Sequence, residues 1–200
     1  MKRLLDIAAS LALLLLLAPL LLLIATAIAT SDGMPVFYRQ QRVGRGGKAF
    51  AILKFRTMRQ GGTSSGSSIT AGESDSRITP MGRFLRQRRI DELPQLLNVL
   101  LGQMSFVGPR PEALDIYRKT LTTHQRIWEQ VLSVRPGITG ADALAFKDEG
   151  QRLAGQSDPE AYYKNVILPE KLEIQRRYAL EHSFKTDLQI LFRTLGVLRG

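Results

Sequence analysis

The 200-residue sequence contains no cysteine. Disulfides, thiolate metal sites and thiol nucleophiles are excluded together. Histidine is nearly as rare. His124 and His182 stand far apart, which argues against a histidine-rich zinc site. Acidic charge is also short: 18 Asp and Glu face 28 Lys and Arg, for a formal net charge of +10. That imbalance points to anionic partners, whether nucleic acid, anionic lipid or phosphorylated substrates. The length suffices for one domain with a substantial core and some extra chain.

Leucine is abundant near the start. Lys2 and Arg3 precede a nearly continuous apolar run from Leu11 to Ala29. A signal peptide fits the basic start and the small residues Ala25, Ala27 and Ala29. A spanning helix fits the run of about 20 apolar residues. A re-entrant helical hairpin is the third reading. Pro19 interrupts the middle of the run and bends a helix there. Basic residues also flank both sides, with Arg39, Arg42, Arg45 and Lys48 downstream, so both flanks favour the cytoplasm.

Residues 36–58 read as two extended runs around a Gly44-Arg45-Gly46-Gly47 turn, the pattern of a β-hairpin. VGRGGK invites a phosphate-loop reading but lacks that motif's spacing and its terminal Ser or Thr. Residues 60–76 are rich in Gly and Ser and cannot order themselves by burial, so they read as a mobile loop, either a lid or a passive linker. Helical pattern resumes at Thr79 and continues through QLLNVLLG to a stop at Gly102. Residues 112–132 read as a helix anchored by Leu114, Tyr117, Leu121, Trp128 and Leu132. Residues 159–181 and 184–199 read as amphipathic helices. Phe184, Leu188, Leu191, Leu195 and Leu198 form a stripe on the last of these, suited to core packing or to a membrane surface.

Between Arg39 and Arg89, 12 residues are basic and two, Glu73 and Asp75, are acidic. Such a surface rests on anionic lipid or holds phosphates. Against it stand Asp91 and Glu92. One reading is structural: Asp is a favoured helix N-cap, and acidic residues suit the positive end of a helix. The other is chemical. A carboxylate at a helix N-terminus near arginines should have a lowered pKa and stay ionised. It can then attack phosphorus or hold Mg²⁺ together with substrate phosphates. Arg110 within GPRP and Arg135 within VRPGITG sit in proline-stiffened loops, and their planar guanidinium groups suit phosphate. A non-catalytic membrane-docked adaptor for lipid or nucleic acid would use the same basic surface.

KFRTM (Lys54 to Met58), RIDELPQLLNVLLGQMSFVGPRP (Arg89 to Pro111) and RPGITG (Arg135 to Gly140) closely resemble the bacterial sugar transferases, the small monotopic phosphoglycosyl transferases. The resemblance covers nearly the whole chain. It implies an α+β, mainly helical fold, with a re-entrant membrane helix over residues 1–31 bent at Pro19. A catalytic domain over residues 32–200 would follow, carrying a β-hairpin and amphipathic helices at the membrane surface. It implies transfer of a sugar 1-phosphate from a UDP-sugar to polyprenyl phosphate, with release of UMP. The setting is the cytoplasmic face of the bacterial inner membrane, at the start of glycoconjugate assembly, with no nucleic acid involved. Asp91 would be the nucleophile that carries the phosphosugar, with Mg²⁺ held by Asp91 and Glu92. Glu92 would assist through the metal or as a base. Lys54, Arg86, Arg110 and Arg135 would bind phosphates or the nucleotide. Anionic lipids are implied partners, and a homodimer is allowed. Two departures stand out: Ala18 replaces the serine common before the bend, and ADALAFKDE follows RPGITG in a stretch that bears on sugar choice.

Overall fold

The computed structural model describes residues 2–59 and 77–199, so the loop expected over residues 60–76 lies outside the described residues. The fold is mainly helical with two small sheets. The first helix, α1, spans Lys2–Ser31 and runs unbroken through Pro19. Pro19 has no N–H to donate, so the carbonyl one turn earlier loses its helical partner. Most of the middle of α1 faces outward, with Leu15, Leu16, Leu22 and Leu23 exposed.

Both ends of α1 grip the same globular body. At the start, Lys2 bonds the Val107 carbonyl and pairs with Asp187, while Asp6 accepts from the Phe106 N–H. Arg3 donates to the carbonyls of Val99 and Leu100. At the end, Ile24 and Ile28 pack against Val36, Phe55 and Leu85. Each such buried aliphatic side chain contributes roughly 1.5–3 kcal/mol.

The expected hairpin is present. Strand β1 (Phe37–Val43) pairs antiparallel with β2 (Ala49–Phe55) across a 3-10 turn at Arg45–Gly47. Gly46 and Gly47 have positive φ, the conformation for which the turn needs glycine. The Gly44 N–H bonds the Lys48 carbonyl and the Gly46 N–H the Leu132 carbonyl. Those amides are committed within the fold, which supports the turn over the phosphate loop.

Thr79 caps α2 (Pro80–Gln87) by accepting from the Gly82 N–H. A 3-10 turn over Ile90–Glu92 then leads into α3 (Gln95–Leu100). Gly102, at φ 84°, ends the helical stretch as expected, and Arg3 covers two of the carbonyls left at that end. Asn98 of α3 accepts from the Leu53 N–H and donates to the Ala51 carbonyl, so α3 is bonded along β2.

Strands β3 (Ser105–Val107) and β4 (Gly137–Thr139) pair in parallel. This sets the GPRP and RPGITG loops side by side. A Cβ at Gly137 would lie 2.2 Å from the Gly108 nitrogen, and one at Gly140 would lie 2.2 Å from the Gly108 carbonyl oxygen. No side chain fits between those backbones.

Two expected helices are modified. Residues 112–132 form α4 (Leu114–Thr120) and α5 (Gln125–Val131), separated by turns rather than a single helix. The break falls among Thr120, Thr122 and Thr123. The Thr120 hydroxyl bonds back to the Ile116 carbonyl, and such local side-chain bonds compete with helix continuation. Short helices α6 (Ala141–Ala145) and α7 (Glu149–Ala154) follow. Residues 159–181 form α8 (Pro159–Tyr162) and α9 (Leu168–Glu181) around a π-turn at Tyr163–Ile167. The wide turn ends two residues before Pro169, whose ring and missing N–H disfavour a regular α-turn there.

The largest apolar cluster joins Ile116, Trp128, Val131, Leu153, Ile167, Leu168 and Leu172. Helix α10 (Phe184–Arg199) contributes little to burial. Its Asp187 and Ile190 are buried and Leu191 packs in the same cluster as Ile190, but Phe184, Leu188 and Leu195 of the stripe are exposed. The apolar stripe is therefore largely not core, which corrects the packing reading and leaves the surface-facing one.

Candidate active site

The chain path brings Lys54, Arg86, Asp91, Glu92 and Arg110 together from β2, α2, the 3-10 turn and the GPRP loop. The 3-10 turn starts at Arg89, the one described non-glycine residue with positive φ, at 53°. Such a conformation costs about 1–3 kcal/mol and persists only where the surroundings enforce it. Here it reverses the chain between α2 and α3 and turns both carboxylates inward.

Glu92 is buried. Its Oε1 accepts from Lys54 Nζ and from Arg110 Nη2, each at 2.7 Å. Burial alone would raise its pKa, but the charges of Arg110 and Lys54 overcome that and hold it well below the usual carboxylate range. The same contact pushes the Arg110 guanidinium up. Lys54 is pulled down by burial, partly offset by Glu92.

Asp91 differs. Only 8% of the residue is exposed, yet its carboxylate makes no hydrogen bond or ion pair among the described residues. Burial, and then the adjacent charge of Glu92, raise its pKa; Lys54, Arg86 and Arg110 oppose that rise. This corrects the expectation of a lowered value. The capping reading is corrected as well. Asp91 lies inside the 3-10 turn, and the cap position of α3 falls on Pro94, with no side-chain cap bond. Desolvation therefore outweighs any benefit from a helix end.

The cations are themselves anchored. Arg86 Nε donates to Thr57 Oγ1 at 2.8 Å. Gly82 allows that approach, because a Cβ there would lie 2.2 Å from the Thr57 carbonyl oxygen. The Arg110 N–H donates to Asp142, and Gln175 bridges Asp142 to the Arg110 carbonyl. Sequence reasoning missed Thr57, Asp142 and Gln175 as positioning residues. Thr57 lies within the KFRTM motif and Asp142 within the ADALAFKDE stretch; Gln175 carries no comparable signal. Arg135 is placed elsewhere. Its Nε bonds the Gly102 carbonyl, beside Arg3 and Arg45 rather than with the dyad's cations.

Chemically, the site holds one ion-paired carboxylate and one with no bond among the described residues, both near three cations. Asp91 has shed part of the hydration that a nucleophile must lose before attack. Glu92 is held ionised by its two cations. For Mg²⁺ the donor set fits: Asp91 and the second oxygen of Glu92 are hard oxygen donors, and Mg²⁺ commonly combines one or two carboxylates with substrate phosphates. Among the described residues there is no cluster of three or more metal-ligating side chains, so the substrate would complete the shell.

A family model described as bacterial sugar transferase matches residues 1–199. The chain is 46% identical over 202 residues to a UDP-glucose:undecaprenyl-phosphate glucose-1-phosphate transferase of Caulobacter vibrioides, covering 98% of this chain and 69% of that protein. It is 38% identical over 198 residues to a Klebsiella pneumoniae protein of the same name, covering 97% of this chain and 39% of the relative's length. An exopolysaccharide production protein of Rhizobium leguminosarum is 36% identical over 197 residues, with 98% and 93% covered. The chain belongs to the bacterial sugar transferase family.

Proposed function

We propose that this chain transfers a sugar 1-phosphate from a UDP-sugar to undecaprenyl phosphate, through a covalent intermediate on Asp91. The observation that carries the reading is the division of the dyad: Glu92 is consumed by Lys54 and Arg110, while Asp91 is left unbonded among Lys54, Arg86 and Arg110. An Asp91 oxygen attacks the sugar-bearing phosphorus. The bond from that phosphorus to the UMP oxygen breaks, and UMP leaves with the electron pair. A phosphate oxygen of undecaprenyl phosphate then attacks the same phosphorus, which returns Asp91 as a carboxylate.

Lys54, Arg86 and Arg110 offset the charge that develops on the phosphoryl oxygens. Glu92 fixes two of those cations in place. Mg²⁺ bound at the dyad would neutralise diphosphate charge and assist departure of UMP. The Caulobacter and Klebsiella relatives are named for UDP-glucose, which makes UDP-glucose the first donor to test.

On the same reading the protein works at the cytoplasmic face of the inner membrane, with α1 entering and leaving through one surface. Support comes from the two grips on α1, which join its Lys2 end and its Ile28 end to one body, and from the exposed apolar stripe on α10. The test is single turnover with donor labelled in the sugar phosphate and no acceptor. Label should attach to the wild-type chain and not to Asp91→Asn. Robust UMP release by Asp91→Asn would remove Asp91 as the nucleophile.

A further inference from the structure

A second cationic pocket lies where the start of α1 meets the globular body. It is a cavity of about 350 Å³ whose lining includes Lys2, Arg3, Asp6, Arg45, Ser105 and Arg135; Asp6, the one acidic residue in that lining, accepts from the Phe106 N–H. Two of these cations are already committed. Lys2 pairs with Asp187, and Arg3 is spent on the carbonyls of Val99 and Leu100. Arg45 and Arg135 are arranged otherwise. Arg45 Nε donates to the Ser133 carbonyl, and Arg135 Nε donates to the Gly102 carbonyl. Each guanidinium is thus fixed at its inner nitrogen, and its two terminal nitrogens have no partner among the described residues.

Ser105 supplies an independent observation. The residue is 2% exposed, and its buried Oγ has no hydrogen-bond partner among the described residues. A buried hydroxyl without a partner is disfavoured unless something else satisfies it. Two fixed guanidinium forks and one free hydroxyl make a donor set matched to the oxygens of a phosphate.

The surroundings indicate the carrier of that phosphate. Leu4, Leu5 and Leu101, close in sequence to residues at the pocket, are exposed. We propose that Arg45, Arg135 and Ser105 bind the phosphate of an anionic phospholipid headgroup at the start of α1. This deepens the membrane reading above and rests on it for the source of the ligand.

The test uses the full chain in detergent, titrated with dioctanoyl phosphatidylglycerol and, separately, with inorganic phosphate. Saturable lipid binding is expected, weakened about tenfold or more in Arg45→Gln/Arg135→Gln, since charge-assisted bonds are lost. Arg126→Gln, an exposed cation on α5, should bind as wild type does. Ser105→Ala should weaken binding without lowering the melting temperature of the lipid-free protein, because its hydroxyl makes no internal bond. Equal weakening by Arg126→Gln would show diffuse surface attraction and overturn the proposal. Unchanged lipid binding in the double variant would overturn it as well, and so would equal affinity for inorganic phosphate. None of these readouts depends on UMP release, so failure of the proposed reaction would be seen separately.

Discussion

Replacing Glu92 with Gln tests the claim that this residue holds the site together. In the wild type one buried carboxylate oxygen receives two cations at 2.7 Å. The substitution keeps the shape and an amide oxygen but leaves Lys54 and Arg110 without their counter-charge. Breaking a buried pair in this way costs about 3–5 kcal/mol; the retained acceptor points to the lower end. For a domain of this size, each kcal/mol shifts the melting temperature by about 2–4 °C, so roughly 3 kcal/mol implies a drop of about 6–12 °C at pH 7.

The effect has a pH signature. Glu92 ionises in the folded protein well below its unfolded value of about 4.3. Its stabilisation is therefore complete above that value and is lost as the pH falls toward the folded one. Asp91, whose pKa is raised, titrates in the opposite sense, so the pH series belongs in an Asp91→Asn background. There the stability gap between the protein that keeps Glu92 and the one that also carries Glu92→Gln should narrow by about 1 kcal/mol between pH 7 and pH 3.5. Thermal unfolding followed by circular dichroism in matched detergent reads both quantities. A drop under 2 °C at pH 7 would refute the reasoning, as would a gap that does not narrow on acidification.

Other outcomes follow from the same geometry. Asp91→Asn should abolish turnover while raising the melting temperature at pH 7, because it removes a charge that burial and Glu92 both disfavour. Gly82→Ala should cost about 1–3 kcal/mol and reduce UMP release, since its Cβ would force α2 away from Thr57 and disturb Arg86. Phe184→Glu/Leu195→Glu, on the exposed stripe of α10, should weaken retention on anionic vesicles in a flotation assay and leave the melting temperature in detergent nearly unchanged.

Local signals in the sequence were sufficient for some elements and insufficient for others. Glycines between β-branched and aromatic runs specify the hairpin, because the turn chemistry and the strand pattern are neighbours in the chain. The reversal at Gly102 is local in the same way. Asp91 and Glu92 could be singled out, but their division of labour could not. It depends on Lys54, 38 residues before Glu92, and Arg110, 18 residues after it. The expected helix cap failed for a related reason. Burial of Asp91 is a tertiary property, and it outweighs the local preference of Asp for a helix start. Arg135 shows the limit of motif proximity, since RPGITG runs beside GPRP while its arginine bonds Gly102 instead. The break among Thr120, Thr122 and Thr123 was visible as a threonine cluster, but the apolar anchors on either side masked it.

The double attachment of α1 has a consequence for traffic in the membrane. On the proposed re-entrant path, a helix tied at both ends to one body would give the enzyme access to a single leaflet. Undecaprenyl phosphate would have to arrive sideways within that leaflet, and the glycolipid would be released into it again. Carrying the sugar to the opposite face would then be a separate task for another protein.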